Sequence, residues 1–202
     1  PRCGGCSAAG RKGIMLLKFC GLRRQEDVTL ATRLGATHCG FVFHAGILHE
    51  GRPHQRGGES GPGGFFQMVV DCARRLGAER VIRVLWPQRY GDTAALEVAA
   101  GQYADNCALY LLDAGRSGGG SGHTLAWKKL GGLRLPHPWL LAGGMSPANF
   151  RQALTACRPD GVDCNSGVED APGQKDARAM TDMARLVEKV FRDAPADPSR
   201  RA

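Results

Sequence analysis

Six short apolar segments recur along the chain and constrain its fold more than any other feature. They lie at residues 14–19, 37–43, 81–86, 107–112, 138–142 and 161–164. Each is a nearly continuous apolar run, which is typical of parallel strands that are covered on both faces. With a helix predicted between most successive strands, the pattern indicates βα units joined by right-handed crossovers. It therefore predicts an α/β fold with a parallel sheet.

Helices are predicted between these strands. They are expected at residues 24–34, 65–76, 93–104, 147–157 and 176–192. The first two are followed by glycine, which favours the backbone conformation found just after a helix. Asp92 or Thr93 is the expected N-cap of the third helix. Ser146 followed by Pro147 is a strong start signal, so Ser146 is the expected N-cap of the fourth.

The residues at the strand ends distinguish two arrangements of such a sheet. An open dinucleotide-binding sheet would carry a Gly-x-Gly-x-x-Gly turn after its first strand, but Cys20, Gly21 and Leu22 stand there. A barrel instead collects its chemistry at the carboxyl ends of several strands. Here Cys20, Asp113 and the pair Gly143–Gly144 follow different strands. The sequence therefore favours an α/β fold of the (β/α)8 TIM barrel type.

One part of the chain departs from this pattern. A TIM barrel has eight strands, but only six are recognisable. Residues 44–64 are rich in glycine and show neither helical nor strand periodicity. The third and fourth βα units are therefore predicted to be shortened or irregular.

The same pattern predicts the domain boundaries. Residues 15–192 are expected to form a single barrel domain. Residues 1–14 are expected to be an N-terminal extension, with Met15 as a candidate initiator. Residues 193–202 are expected to form a flexible tail, as is common at chain ends.

The formal net charge of +8 raises the question of an anionic partner. Half of this excess comes from the two ends of the chain, and the remaining basic residues are scattered without aromatic residues between them. A nucleic-acid surface would concentrate its charge. No apolar run approaches the roughly 20 residues that span a bilayer. We therefore expect a soluble protein with a small anionic substrate and neither a nucleic-acid nor a membrane partner.

The eight cysteine residues point to a reducing compartment. Five of them lie in or next to apolar segments at irregular spacing, which is typical of thiols buried in a cytoplasmic protein. Cys3 and Cys6 form a Cys-x-x-Cys pair, but neither a second pair nor a pair of histidines follows to complete a zinc site. No metal ion is therefore predicted.

Two turns near the C-terminus have the composition of phosphate-binding loops. They are AGGMSPANF (142–150) and DCNSGVED (163–170). Small residues leave backbone N–H groups free to point at an anion, and barrels often bind phosphate after their last two strands. For either loop alone, an ordinary turn with glycine at positive φ is the alternative. Two such loops in succession favour phosphate binding.

Asp113 and Cys20 are the candidates for proton transfer. A carboxylic acid at the mouth of an apolar strand can keep a proton near neutral pH when it is partly removed from water, as a general acid must. A thiol at a strand end can act as a base or nucleophile, and Lys18 or Arg23 would assist it if either points inward. The alternatives are an aspartate that caps the next turn and a cysteine that only fills space.

Four longer segments carry a resemblance to one enzyme family. KFCGLRRQEDVTLATRLGATHCGFVF matches a first strand, helix and second strand, and LLDA followed by GGSGHTLAW matches a strand with an aspartate and a glycine-rich loop. LLAGGMSPANFRQAL and RPDGVDCNSGVEDAPGQKD match two phosphate loops. Over residues 16–43 and 79–190 the chain resembles the phosphoribosylanthranilate isomerases of tryptophan biosynthesis.

The resemblance implies a reaction and the residues that perform it. The reaction is the Amadori rearrangement of N-(5-phosphoribosyl)anthranilate to 1-(2-carboxyphenylamino)-1-deoxyribulose 5-phosphate, which needs no metal or redox cofactor. The general base of the family falls on Cys20, and its general acid falls on Asp113. Its phosphate contacts fall on the backbone of Gly143, Gly144, Ser166 and Gly167.

Further assignments follow from the same resemblance. Asp163 is expected to support the substrate or a loop, and Gly120 and Gly122 belong to the glycine-rich loop that contacts the substrate. The family usually carries a Ser-x-Arg element for the anthranilate carboxylate, which is missing here, and Arg52 is the nearby stand-in. A small phosphorylated substrate, a cytoplasmic location and a monomer or homodimer are expected.

Two alternatives remain open at this point. One is another phosphate-binding barrel enzyme of the same pathway, such as a neighbouring synthase or lyase, which a product assay would distinguish. The chain is also compatible with a degenerate, non-catalytic relative that acts as a binding module. Residues 44–80 decide between this last alternative and an enzyme, because a barrel that cannot be completed there would lose its activity.

Overall fold

The computed structural model describes residues 15–41, 70, 73–113 and 124–193, and six of the strands in these ranges form one sheet. These strands are β1 (Leu16–Phe19), β2 (His38–Cys39), β3 (Ile82–Leu85), β4 (Leu109–Asp113), β5 (Trp139–Ala142) and β6 (Gly161–Cys164). Each lies in one of the predicted apolar segments or extends it by one residue. The six strand predictions are therefore confirmed.

The order of the strands is cyclic. Along the sheet they lie as β2-β1-β6-β5-β4-β3, and every neighbouring pair is parallel. The first strand is thus hydrogen-bonded to the last, with Leu16 opposite Gly161 and Phe19 opposite Cys164. A sheet that returns to its first strand in this way curls towards a barrel.

The interval between β2 and β3 carries the predicted irregular units. Residues 42–69 lie outside the described part of the chain. The shortening of the third and fourth βα units therefore stays a prediction. The extension at 1–14 and residues 194–202 of the predicted tail also lie outside it, together with Cys3 and Cys6.

The described residues also contain five α-helices, four short 3-10 helices and one hairpin. The α-helices are α1 (Gln25–Arg33), α2 (Thr93–Gly101), α3 (Thr124–Lys129), α4 (Phe150–Cys157) and α5 (Ala177–Asp193). Residues 73–76 are also helical, within the predicted helix at 65–76. The hairpin consists of β7 (Glu169–Ala171) and β8 (Gln174–Lys175), which pair antiparallel. None of the described helices is long and apolar enough to cross a membrane.

The two helix caps that were predicted by residue have different outcomes. Asp92 caps α2 as expected, since its Oδ1 accepts a hydrogen bond from the N–H of Ala95 at 2.8 Å. Ser146 is not the N-cap of α4, because that helix begins at Phe150 and a turn occupies 147–149. Asn149 fixes this turn by accepting from the N–H of Ser146 at 2.9 Å. The prediction of Ser146 as cap was therefore wrong.

Helix α4 illustrates how the helices pack on the sheet. Phe150, Ala153 and Cys157 are buried and lie on one face of the helix at spacings of three and four residues. Burying a phenylalanine such as Phe150 contributes roughly 1.5–3 kcal/mol. This stripe holds α4 against the strands whose ends carry the candidate phosphate loops.

The sheet separates two apolar clusters. The larger one lies between the strands and the helices, and it includes Phe19, Leu112, Leu141 and Met180. The smaller one lies on the opposite face of the strands, and its members are Leu109, Leu111, Leu140 and Ala142, with Leu16, Ile82 and Val84 packed against them. The concave face of the sheet therefore carries its own core.

Strand alternation places polar residues above this inner cluster. Side chains two residues apart point to the same face of a strand. Lys18 therefore shares the inner face with Leu16, and Asp113 shares it with Leu111. In the same way Asp163 follows Gly161 on β6 and is buried. The inner face changes from apolar to charged towards the carboxyl ends of the strands.

Candidate active site

Cys20 lies directly after β1, where the chain leaves the sheet. Its backbone N–H donates a hydrogen bond to the carbonyl oxygen of Cys164 at 2.9 Å, which ties this turn to the end of β6. Gly21 follows with φ +68°, a conformation that side chains disfavour. A Cβ at Gly21 would also lie 2.5 Å from Oδ1 of Asn165. The turn after β1 and the loop after β6 are therefore in close contact.

Cys20 is more exposed than three other thiols of the fold. Cys107, Cys157 and Cys164 are buried, and burial raises the pKa of each thiol, to about 12 for Cys157. Such thiols stay protonated and only fill space. Cys20 is half-buried at the carboxyl end of its strand. Its position is that of a residue that a ligand can reach.

Lys18 and Asp163 form a buried ion pair beside Cys20. Lys18 Nζ lies 2.9 Å from Asp163 Oδ1, and the two side chains are 11% and 9% exposed. Burial alone would lower the pKa of Lys18, but the Asp163 carboxylate and Cys20 together outweigh it, so the pKa of Lys18 is raised. Burial raises the pKa of Asp163, and Lys18 opposes part of that rise. Of the two basic residues considered for Cys20, Lys18 points inward, whereas Arg23 is exposed.

Gly40 shows how close the thiol and the ammonium group are. A Cβ at Gly40 would lie 2.7 Å from Cys20 Sγ and 3.0 Å from Lys18 Nζ. Cys20 Sγ and Lys18 Nζ therefore both lie close to Gly40. The interaction with Cys20 also helps to raise the pKa of Lys18. His38 of β2 lies opposite Lys18 in the register. Burial and the Lys18 charge lower the pKa of the His38 imidazole.

Asp113 is the last residue of β4 and is half-buried. It pairs in register with Ala142 at the end of β5. Its charge acts on Asp163, whose pKa it helps to raise. Asp163 binds Lys18, and Lys18 lies beside the thiol of Cys20, so the ion pair is at the same end of the sheet as both candidates for proton transfer. The structure brings Cys20, Lys18, Asp163 and Asp113 to the same end of the sheet.

The two candidate phosphate loops are in contact with each other. Gly143 and Gly144 follow β5 with φ values of +97° and +68°. Gly167, after β6, lies so close to the carbonyl oxygen of Met145 that a Cβ at this position would overlap with it. Small residues are therefore required where the loops meet. Ser166, next to Gly167, is exposed.

Two residues that shape these loops were not predicted from the sequence. Asn149 donates from Nδ2 to the carbonyl oxygen of Gly144 at 2.9 Å. Lys175 is buried and donates to the carbonyl oxygen of Asn165 at 3.1 Å. The only local signal for Asn149 was its residue type, because asparagine has a short polar side chain and is common in turns. The sequence around Lys175 is polar and carries no signal for a buried lysine.

Three predicted site residues cannot be placed. Arg52, Gly120 and Gly122 lie outside the described residues. A cavity of about 440 Å³ opens at the amino ends of the strands, with Leu16, Val81 and Leu109 among its lining residues. It lies at the opposite end of the sheet from Asp113, because Leu109 and Asp113 begin and end the same strand.

The fold and the site together define a class of protein. A parallel α/β sheet in cyclic order, with ionisable groups and glycine turns gathered at the carboxyl ends of its strands, is typical of barrel enzymes. The comparisons with known proteins identify the particular family. Residues 72–186 match the family model described as N-(5'phosphoribosyl)anthranilate (PRA) isomerase.

Individual relatives agree with this match. The N-(5'-phosphoribosyl)anthranilate isomerase of Desulfovibrio desulfuricans is 47% identical over 194 residues, which cover 82% of this chain and 92% of the relative. The crystal structure of phosphoribosyl anthranilate isomerase from Thermotoga maritima superimposes with a TM-score of 0.59 at 25% identity, over 87% of this chain and 99% of that one. The chain belongs to the N-(5'-phosphoribosyl)anthranilate isomerase family and has its TIM-barrel fold.

One further structure carries a ligand. It is a phosphoribosyl anthranilate isomerase in complex with reduced 1-(O-carboxyphenylamino)-1-deoxyribulose 5-phosphate. It has a TM-score of 0.52 at 22% identity and covers 87% of this chain and all of its own. At this identity the likeness supports the fold.

Proposed function

We propose that this isomerase rearranges N-(5′-phosphoribosyl)anthranilate by general acid–base catalysis, with Asp113 as the acid and Cys20 as the base. The observation that carries this proposal is that Cys20, directly after β1, and Asp113, at the end of β4, lie at the same end of the sheet as the Lys18–Asp163 ion pair. This arrangement places a thiol and a carboxyl group at one end of the sheet. An isomerisation that moves one proton off a carbon and another onto an oxygen needs two such groups.

The proposed reaction begins at the ring oxygen of the ribose. Asp113 donates a proton to this oxygen, the bond from the anomeric carbon to the oxygen breaks, and a Schiff base forms with the anthranilate nitrogen. Cys20, as thiolate, then removes the proton from C2′, which gives an enolamine. Tautomerisation of the enolamine gives the 2′-ketone, and the two groups return to their starting protonation states through solvent. Each positioned proton-transfer group contributes about 10²–10⁴-fold to the rate.

The substrate phosphate is assigned to the two contacting loops. Gly143 and Gly144 have positive φ values, and backbone amides in such glycine turns bind anions. Gly143, Gly144, Ser166 and Gly167 are the proposed contacts. Asp163 supports the site by holding Lys18 beside the thiol.

Other assignments stay predictions that rest on the family resemblance. Arg52 is the predicted contact of the anthranilate carboxylate, and Gly120 and Gly122 are predicted to close over the substrate. Arg52→Ala should therefore raise KM more than it lowers kcat. We also propose a cytoplasmic enzyme, because Cys107 and Cys157 are thiols that donate to backbone carbonyls in the core. A monomer or homodimer is proposed, which light scattering would determine.

Steady-state kinetics with matched variants test the acid–base proposal. Cys20→Ser and Asp113→Asn should each lower kcat by about 10²–10⁴-fold, with little change in the inhibition constant of inorganic phosphate. Cys39→Ser and Asp105→Asn remove an exposed thiol and an exposed carboxylate and serve as controls. Near-normal turnover by Cys20→Ser would remove the thiol from the mechanism. If the wild type forms indole-glycerol phosphate instead, it is another enzyme of the pathway. A wild type that turns over neither substrate would favour a binding module.

A further inference from the structure

The side chain of Lys175 is fully buried next to the loop that follows β6. Its exposed fraction is 0%. The ammonium group donates to both oxygens of Asn165, at 3.1 Å to the backbone carbonyl and 2.8 Å to Oδ1. A third hydrogen bond of 2.6 Å reaches Glu169 Oε1. The buried ammonium group therefore has hydrogen-bond partners on two sides, at Asn165 in the loop after β6 and at the carboxylate of Glu169.

Glu169 anchors this cation within the β7–β8 hairpin. The two residues lie opposite each other in the register of the hairpin. Glu169 Oε2 also accepts from the N–H of Gly173 in the turn at 3.1 Å. Burial alone would raise the pKa of Glu169, but the hydrogen bonds from Lys175 and Gly173 hold it below its usual range. The carboxylate of Glu169 therefore holds the side chain of Lys175 in a fixed position on the hairpin.

The same hairpin is tied to the loop after β1. Arg24 donates to the carbonyl oxygen of Lys175 at 3.1 Å and holds Asp27 with hydrogen bonds of 3.0 and 2.7 Å. The guanidinium group of Arg23 lies against Gly173, where a Cβ would approach its Nη1 to 2.6 Å. The hairpin thus contacts the segment that begins with Cys20.

Asn165 is the point where these elements meet. Its backbone is in an unusual conformation, with φ −124° and ψ −97°. Its Oδ1 binds Lys175 and also faces Gly21, directly after the thiol residue. Ser166 and Gly167 follow it in the chain. Any displacement of Asn165 would therefore move the loop assigned to phosphate relative to Cys20.

We propose that Lys175, held by Glu169, is a positioning residue that fixes the Asn165–Gly167 loop in its phosphate-binding conformation and in register with Cys20. This inference rests on the proposed role of Ser166 and Gly167 in phosphate binding. Lys175 acts through Asn165. Without the ammonium group, Asn165 Oδ1 loses this donor and the Asn165 carbonyl keeps the N–H of Val168. The carboxylate of Glu169 keeps the N–H of Gly173 but loses its cation.

Lys175→Met tests this role because methionine keeps much of the length of the side chain but donates no hydrogen bond. We expect the dissociation constant of inorganic phosphate, measured by titration calorimetry, and KM to rise by about 10–100-fold, the range that a displacement of the order of 1 Å can cause. The expected fall in kcat is smaller. Lys189→Met removes an exposed lysine of α5 and is the matched control.

A merely structural lysine would give a different result. In that case Lys175→Met would lower the melting temperature while the folded protein kept wild-type phosphate affinity, and the proposal would be overturned. If Lys175→Met does not fold, Glu169→Gln decides, since it removes the anchoring charge and leaves Lys175 in place. Unchanged phosphate affinity in Glu169→Gln would then overturn the proposal, and a weakened affinity of the folded variant would support it.

The outcome is separable from that of the acid–base proposal. Phosphate binding by calorimetry needs no turnover, so a failure of Cys20→Ser or Asp113→Asn to lose activity leaves this test intact. If the wild type itself binds no phosphate, the phosphate loops are wrongly assigned and this role of Lys175 falls with them. If the wild type binds and Lys175→Met binds equally well, only the role of Lys175 is overturned.

Discussion

The ammonium group of Lys18 lies 2.9 Å from a carboxylate oxygen of Asp163 and joins the inner faces of the first and last strands of the sheet. The two residues are direct partners in the register of β1 and β6. Both are nearly removed from water, so each charge depends on the other for its stability. The ion pair therefore stabilises the contact between β1 and β6 and also fixes Lys18 in the candidate active site.

Removing one member of this pair should destabilise the fold strongly. Lys18→Met leaves the Asp163 carboxylate buried without its cation, and the free energy of unfolding should fall by about 3–5 kcal/mol, as for other broken buried pairs. The double variant Lys18→Met, Asp163→Leu removes both charges and should regain most of the loss. Denaturant unfolding of the two single variants and the double variant measures this coupling. Strictly additive effects would contradict it.

Gly40→Ala should damage catalysis more than stability. The added methyl group would lie 2.7 Å from Cys20 Sγ and 3.0 Å from Lys18 Nζ, so the thiol must move. A shift of the order of 1 Å in a catalytic group can lower kcat by about 100-fold. Gly101→Ala, where a Cβ would meet no atom within 4 Å, is the control for kcat and melting temperature. Equal kcat in both variants would show that the thiol position is not critical.

Much of the fold was predictable because apolar runs mark buried parallel strands. The run LLKF at 16–19 and the run GVDC at 161–164 both became strands, although each contains a charged residue. Those charged residues, Lys18 and Asp163, pair across 145 positions of sequence. Neither their inward orientation nor their contact has a local signal, since only the pairing of distant strands brings them together.

The candidate site was predictable where local chemistry defines it. Cys20 before a glycine, Asp113 at a strand end and the glycine turns after β5 and β6 all have local signatures. The β7–β8 hairpin does not, because its strands are short and polar and show no alternation. Ser146 was favoured as a cap by the Pro147 that follows it, but the side chain of Asn149 binds back to Ser146 and delays the helix. Competition between two polar side chains decided that boundary.

Gly167→Ala should weaken phosphate binding by separating the two loops. A Cβ at this position would overlap with the carbonyl oxygen of Met145, which is backbone and cannot rotate away. We expect KM to rise by about 10–100-fold, because a loop displaced by about 1 Å no longer presents its amides to the ligand. Gly91→Ala, in open space, provides the comparison. An unchanged KM in Gly167→Ala would mean that contact between the loops is not needed.

The stabilising contribution of Glu169 should disappear in acid. The pKa of Glu169 is lower in the folded protein than its ordinary value of 4.5, so the folded state binds its proton less readily than the unfolded chain. The stability that Glu169 gains from Lys175 and Gly173 is therefore fully present above that ordinary value and is lost as the pH falls through the folded-state pKa. Urea unfolding of the wild type and of Glu169→Gln should differ most near about pH 7 and converge towards about pH 3. A constant difference across this range would contradict an ionised Glu169 in the hairpin.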